Sequence, residues 1–308
     1  MRRLCFFSVC LALAVAPTLG AAHPLTGARH CPVFPASNPW NQRVDHLPVA
    51  ADSQTLIASI GVDRPVHPDF GGLPYAGAPN GIPYAIVSKH TRRVPVSFDY
   101  ADESDKGGYP LPPGVPIEGG PQSSGDRHVI VIDRDSCKDY ELFAAYPQNA
   151  GKSWHAGSGA IFNLRSNHLR PAGWTSADAA GLPILPGLAR YEDVAAGSID
   201  HALRFTAPRT RRAYIYPARH EASSSTNPAL PPMGLRVRLK ASVDISHLPR
   251  QARIIAVALK RYGMILADNG SPWYISGAPN SHWNDDALHL LNELHGGDFE
   301  VVDTGPGS

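Results

Sequence analysis

Prolines are spread along the whole chain, and they limit how long any helix or strand can be. The 308 residues include 30 prolines, about twice the number expected for this length. Because proline lacks a backbone N–H and has a fixed φ, it is excluded from helix interiors and central strands. The prolines are not gathered in one linker, so we expect short strands joined by ordered loops.

Short apolar or alternating runs predict that most of the regular structure is β. His128 to Asp133 is strongly β-prone, and after a turn Asp139 to Phe143 returns, which predicts a hairpin. Met264 to Asp268 and Trp273 to Ser276 are joined through an Asn-Gly pair, which predicts a second hairpin. These two hairpins are the clearest strand pairings in the sequence.

Helical patterns are few, and the strongest covers Pro249 to Tyr262. Shorter helices are predicted from Asp52 to Ile60 and from about Asn284 to Leu294. Many short strands with few helices predict a mainly β protein, an antiparallel β-sandwich or jelly roll with peripheral helices. Residues 23–80 are expected to form an extended segment packed on the core, and residues 81–308 a single β-rich globular domain.

The N-terminus has the three parts of an export signal. Two arginines follow Met1, an apolar run extends from Leu4 to Ala16, and Gly20 and Ala22 provide small residues for cleavage. The apolar run is too short to span a bilayer, which takes about 20 residues. We therefore predict a signal peptide at residues 1–22 and a secreted protein, extracellular or periplasmic, with no membrane insertion.

Two cysteines remain after the predicted cleavage, Cys31 and Cys137. In an oxidising compartment they most simply form one disulfide bond, and the alternative is two unpaired buried thiols. Cleavage also removes Arg2 and Arg3, which leaves 26 basic against 27 acidic residues. This near-neutral balance gives no reason to expect a nucleic-acid partner.

None of the familiar catalytic or cofactor motifs is present in the sequence. There is no Gly-rich phosphate loop, no Gly-x-Ser-x-Gly elbow and no His-Glu-x-x-His helix. Because no pair of cysteines or histidines has short-range ligand spacing, we expect no metal and no cofactor. The candidate site must therefore be sought among polar residues at unusual positions.

The first such position is the hairpin that contains His128 and Glu141. His128 opens an apolar strand and Glu141 interrupts the return strand, and the two would be cross-strand neighbours if the turn had two residues. A histidine–carboxylate pair in a cleft can do general acid–base work. The alternative is a solvent-facing glutamate and a histidine at a strand end.

Two Trp-containing segments are the second and third positions. Trp154 and His155 precede a glycine-flanked loop, which suits a sugar-binding wall, whereas the alternative is a buried tryptophan that anchors a turn. Trp174 and Asp178 lie on a loop whose fixed polar residues suit a functional role. Asp178 is equally suited to the first turn of a helix.

The fourth position is the strand that contains His201 and Arg204, followed by Tyr216. His201 and Arg204 fall on opposite faces of one strand, so both reach the same cleft only if a bulge intervenes. A core histidine is the alternative for His201. The acid at Asp268 is interpreted as a turn residue, because Asn-Gly follows it.

The segment from Gly125 to Asp303 resembles a family of uncharacterised secreted bacterial proteins. The resemblance rests on four segments, 125–133, 173–186, 201–205 and 234–241, and the segment from Cys31 to Trp40 fits as well. Members of this family sometimes occur beside carbohydrate-binding modules. The resemblance implies a polysaccharide context, but it identifies neither a reaction nor a catalytic residue.

The function we expect is therefore that of a secreted carbohydrate-active enzyme, a polysaccharide hydrolase or lyase with a His/carboxylate cleft. The alternative is a non-catalytic protein that binds glycans or cell surfaces. In either case the expected partner is a polysaccharide or cell-surface glycan. The residues expected to take part are, in catalysis, Glu141, His128, His155, Asp178 and His201, and, in substrate binding, Trp154, Trp174, Arg204 and Tyr216.

Overall fold

Fourteen short strands and four α-helices make up the regular structure of residues 22–305, the part of the chain that this computed structural model describes. The predicted signal segment, apart from Ala22, lies outside the described residues. The helices are α1 (Ser53–Ile60), α2 (Tyr191–Ala196), α3 (Arg250–Arg261) and α4 (Asp285–His289). The strands are β1 (His67–Asp69), β2 (Tyr84–Val87), β3 (Val94–Phe98), β4 (Gly108–Tyr109), β5 (Val129–Asp133), β6 (Lys138–Phe143), β7 (Tyr146–Gln148), β8 (Ser153–Ala156), β9 (Ser158–Asn163), β10 (Leu203–Ala207), β11 (Arg236–Leu239), β12 (Met264–Asn269), β13 (Tyr274–Ser276) and β14 (Phe299–Val301).

The strands form three mixed sheets. The six-stranded sheet has the order β1-β13-β10-β12-β11-β14, and the two four-stranded sheets have the orders β2-β5-β6-β9 and β4-β3-β8-β7. Each sheet contains at least one parallel pair: β1–β13 and β10–β12, β2–β5, and β3–β8. The prediction of a mainly β protein with few helices is confirmed, whereas an antiparallel sandwich or jelly roll is not.

One predicted hairpin is present and the other is not. β5 and β6 pair as an antiparallel hairpin around a four-residue turn. β12 and β13 do not pair with each other, because β10 lies between them, parallel to β12 and antiparallel to β13. The prediction of a second hairpin was wrong, since a nearby turn signal does not exclude the insertion of a distant strand.

The uniformly apolar sequence of β5 follows from burial on both of its faces. Ile130 and Ile132 face one hydrophobic cluster, while Val129 and Val131 face another, which also contains Trp154 of β8. A strand covered on both faces is apolar throughout and does not alternate. The largest cluster surrounds the six-stranded sheet and includes the apolar stripe of α3. No helix within residues 22–305 is long and apolar enough to cross a membrane.

The segment before residue 81 is tied to the rest of the chain at several points. Cys31 and Cys137 form the predicted disulfide bond. Arg236 of β11 donates hydrogen bonds to the carbonyl oxygens of Pro39 and Gln42. This segment also contributes α1, as predicted, and β1, which the sequence analysis did not predict and which pairs with β13 at an edge of the six-stranded sheet.

Candidate functional site

A cavity of about 320 Å³ lies where the six-stranded sheet meets the sheet that contains β5. Residues from the ends of strands and from four loops line it. They include carboxylates, a histidine and two aromatic rings, from Tyr100, Glu103, Asp126, Phe143, His220 and Asp268. Three acidic side chains thus converge on one concave site, which is a common arrangement in active sites.

Asp268 is the lining residue with the most distinctive surroundings. It is near the end of β12, its side chain is 26% exposed, and its carboxylate lies 4.0 Å from the guanidinium of Arg204. Burial raises the pKa of Asp268, and the negative charge of Asp178 raises it further, although Arg204 and His128 act in the opposite direction. The pKa of Asp268 is raised to about 7, so near neutral pH this side chain can both donate and accept a proton.

A β-bulge gives Asp268 its orientation. Phe205 of β10 pairs with Leu266, but the next residue, Thr206, pairs with Asp268, so Ala267 has no partner. Bulges of this kind re-aim side chains and are frequent next to active sites. The sequence alone predicts a turn residue at Asp268, because the Asn-Gly pair that follows is the strongest local signal.

Arg204 and Asp178 form a buried ion pair behind Asp268. Arg204 donates from Nε and Nη2 to the two oxygens of Asp178, at 3.0 and 2.8 Å, and from Nη1 to Ser276 at 2.5 Å. Neither side chain is more than 4% exposed. A bidentate pair that is buried in this way fixes both groups. Asp178 and Arg204 therefore support the cavity wall and do not line it.

Glu103 and His220 line the same cavity. The Glu103 carboxylate accepts a hydrogen bond from the backbone of Thr175 at 2.9 Å and lies 3.9 Å from His220 Nε2. His220 is in turn held through Nδ1 by the carbonyl of Ala179. Asp126, by contrast, is exposed and directly precedes the buried residues that lead into β5.

His128 has a carboxylate partner, but the partner is Glu118. Nδ1 of His128 lies 2.6 Å from Glu118 Oε2, and Nε2 lies 3.0 Å from the carbonyl of Ala177. Burial lowers the pKa of His128, but the charge of Glu118, the hydrogen bond to Glu118 and the charge of Asp126 together outweigh burial, and the pKa rises to about 9. The buried imidazolium links the Glu118 loop to the loop that follows β9. Glu118 lies on a Pro/Gly-rich loop without regular structure, so no local pattern in the sequence indicates its role.

Glu141 is fully buried, and its carboxylate has no contact with solvent. It shares a face of the hairpin with His128, but its cross-strand partner is Ile130, because the turn has four residues. Both oxygens accept hydrogen bonds at 2.9 Å from the backbone N–H of Ile184, and one accepts a further bond from Leu185. This geometry anchors a loop and does not support the expected acid–base role of Glu141.

The other two expected catalytic histidines lie away from the cavity. His201 is buried and bonded to Asp193 and to the carbonyl of Ala202, which matches the core alternative. His155 is on β8 and lies 3.1 Å from both Ser97 and Asp99. Neither histidine lines the cavity.

The expected aromatic platforms are separated from one another as well. Trp154 is 5% exposed and lines a different depression. Trp174 is half-buried, with the guanidinium of Arg170 5.5 Å from its ring. Tyr216 lines a third depression, near the C-terminal end of the described chain. The structure does not assemble these rings into one binding strip.

Glu118, Asp126 and His128 are the residues best placed to hold a metal ion. Their ligand atoms all lie within 4.8 Å of one another. Both ring nitrogens of His128 already have hydrogen-bond partners, so the cluster is satisfied without a metal. Among residues 22–305 the other combination of this kind, around His30, contains the two disulfide-bonded cysteines.

Comparison with known proteins yields no match among family models, curated proteins or solved structures. The resemblance to secreted bacterial proteins therefore stays a prediction.

Proposed function

We propose that the protein is a secreted glycan hydrolase that uses the carboxylates of the 320 Å³ cavity for general acid–base catalysis. The observation that carries the proposal is the position of Asp268. It faces a concave site together with two other acids, and its pKa of about 7 keeps it partly protonated at neutral pH. Hydrolysis of a glycosidic bond needs one carboxylic acid and one carboxylate on opposite sides of the bond.

In this mechanism Asp268 donates its proton to the oxygen of the leaving group. Asp126 or Glu103, which line the same cavity, supplies the carboxylate that activates water or attacks the anomeric carbon. Tyr100, which is 53% exposed, offers a ring face for a sugar. The proposed catalytic pair thus differs from the His128/Glu141 pair expected from the sequence.

Charge favours hydrolysis over elimination at this site. A lyase acting on a uronic acid needs a free cation near the substrate carboxylate. Arg204 is occupied by Asp178 and Ser276, and the only cationic candidate among the lining residues is His220. Three acidic lining residues would also repel an anionic substrate, so the substrate class favoured is a neutral or amine-bearing glycan.

The runner-up function, non-catalytic glycan binding, has less support. A binding module is expected to have an aromatic strip without converging acids, whereas here three acids converge and the tryptophans are separate. The three acids in one cavity therefore favour an enzyme over a binding module.

The test is a panel of neutral, amine-bearing and acidic polysaccharides, assayed for new reducing ends and for the ultraviolet absorbance of unsaturated uronates. Asp268→Asn is compared with Asp63→Asn, the same substitution at an exposed aspartate outside the cavity. Cleavage by the wild type and by Asp63→Asn, but not by folded Asp268→Asn, is the expected result. Full activity of Asp268→Asn would exclude the proposed acid. Retention on a glycan without cleavage would favour the binding protein.

A further inference from the structure

A second depression, far more apolar than the candidate site, lies beside the sheet that contains β3 and β8. Its volume is about 990 Å³, compared with about 320 Å³ for the carboxylate cavity. Apolar side chains such as Val94, Leu111, Val115 and Trp154 form its lining. We call this depression the proline groove, because eight of its 20 lining residues are prolines.

The prolines determine both the rigidity and the chemistry of the groove. Pro112, Pro113 and Pro116 lie in one wall, where their fixed φ restricts the backbone. Proline has no N–H, so a wall built from it offers few hydrogen-bond donors. A ligand that needs hydrogen-bond donors from the protein would find few there. A preformed apolar groove of this kind instead suits an apolar chain, which loses little by binding to a rigid surface.

The charges at the groove are all of one sign. Arg92 and Lys152 are exposed and line it, and no aspartate or glutamate is among the lining residues. Within residues 22–305 neither cation takes part in an ion pair. The chain as a whole has nearly equal numbers of acidic and basic residues. A local excess of unpaired cations beside an apolar surface is complementary to a ligand with an apolar body and an anionic head.

We propose that the proline groove binds a fatty acid in its carboxylate form. The alkyl chain would lie along Leu111, Val115 and Trp154, and the carboxylate would meet Arg92 and Lys152. The volume of the groove is at the upper end of the roughly 300–1,000 Å³ typical of small-molecule sites. This site is separate from the carboxylate cavity and does not depend on the proposed glycan hydrolysis.

Binding can be measured by titration calorimetry with dodecanoate below its micelle concentration, and with 1-dodecanol as the neutral counterpart. The expected result is saturable binding at one site per chain. Affinity should be at least about tenfold weaker for the alcohol and should fall with added salt, because the head group interacts electrostatically. A lack of saturable binding, or equal affinity for the acid and the alcohol, would overturn the proposal.

Substitutions at Ala150 provide a matched pair of variants that test whether the ligand binds in the groove. It is an exposed lining residue with φ of 54°, a left-handed conformation that Asp and Asn tolerate. Ala150→Asp adds a negative charge and should weaken dodecanoate binding by about tenfold. Ala150→Asn has the same shape without the charge and should stay within about threefold of the wild type.

A second comparison tests the two cations. The double variant Arg92→Gln/Lys152→Gln should lose most of its affinity and salt dependence, whereas Lys106→Gln, at an exposed lysine outside the groove, should bind like the wild type. Unchanged binding in the double variant would overturn the proposal. It would also be overturned if a proline-rich peptide or a neutral oligosaccharide bound in the groove and dodecanoate did not.

Discussion

Asp268 and Arg204 lie on the same face of the six-stranded sheet because the pairing of their strands slips by one residue. Arg204 pairs with Ile265, and in an unbroken parallel register Ala207 would pair with Asp268, on the opposite face. The extra residue, Ala267, brings Asp268 opposite Thr206 and within 4.0 Å of Arg204. A single inserted residue thus turns the acid from the other face of the sheet to the carboxylate cavity.

The first prediction concerns the pH dependence of catalysis. Because Asp268 must be protonated to act as an acid, kcat/KM should fall as the pH rises through about 7, the pKa of this side chain. The measurement is kcat/KM of the wild type against pH on the glycan that it cleaves. An activity that stays constant from pH 5 to 9 would contradict the assignment of Asp268 as the acid.

The second prediction concerns the ion pair behind the cavity. Asp178→Asn leaves the buried guanidinium of Arg204 without its counter-charge, which should destabilise the protein by about 3–5 kcal/mol. Urea unfolding, with Asp63→Asn as the exposed control, measures this cost. Loss of the Asp178 charge should also lower the pKa of Asp268, so the alkaline limb of activity should move to lower pH. A cost below about 1 kcal/mol would contradict the structural role.

The third prediction concerns two buried carboxyl groups, Asp139 and Glu141. Both are fully buried on the same face of β6, and among the described residues Asp139 has no hydrogen-bond donor as a partner. Burial raises the pKa of Asp139 well above its ordinary value, and the charge of Glu141 raises it further. Burial raises the pKa of Glu141 as well, with a smaller contribution from the charge of Asp178.

A raised pKa in the folded state has a definite consequence for stability. The folded protein holds a proton that the unfolded chain releases near pH 4. The contribution of this carboxyl group to stability is therefore fully present below that pH and is lost as the pH rises. The slope should be at most about 1.4 kcal/mol per pH unit for each proton held. Asp139→Asn keeps a donor toward Glu141 without titrating, so its stability should depend less on pH. Urea unfolding at pH 5, 7 and 9 tests this, and identical slopes for the variant and the wild type would contradict it.

The fourth prediction concerns the disulfide bond. Cys31 and Cys137 are 106 residues apart, so the bond restrains a long stretch of the unfolded chain. The double variant Cys31→Ser/Cys137→Ser should lose about 2–5 kcal/mol of stability. Urea unfolding of this variant, and of the wild type with and without a reducing agent, measures the loss. Equal stability of the oxidised and reduced wild type would contradict the prediction.

Local patterns in the sequence predicted the elements that depend on neighbouring residues. The apolar stripe of α3 marks one face of a helix, and Gly263, with φ of 63°, follows the end of that helix in the left-handed conformation that favours glycine. The β5–β6 hairpin was predicted because its strands are adjacent in sequence and its apolar run is unambiguous. The disulfide bond was predicted because only two cysteines remained to pair.

Long-range contacts were decided by the tertiary structure alone. β10 lies between β12 and β13, and its one-residue slip against β12 brings Asp268 to the cavity. His128 pairs with Glu118 on a loop. Its expected partner, Glu141, instead accepts hydrogen bonds from the backbone N–H groups of Ile184 and Leu185. Hydrophobic periodicity, turn residues and helix caps are sequence signals that act over a few residues. Strand register and side-chain pairing depend on distant segments that only folding brings together.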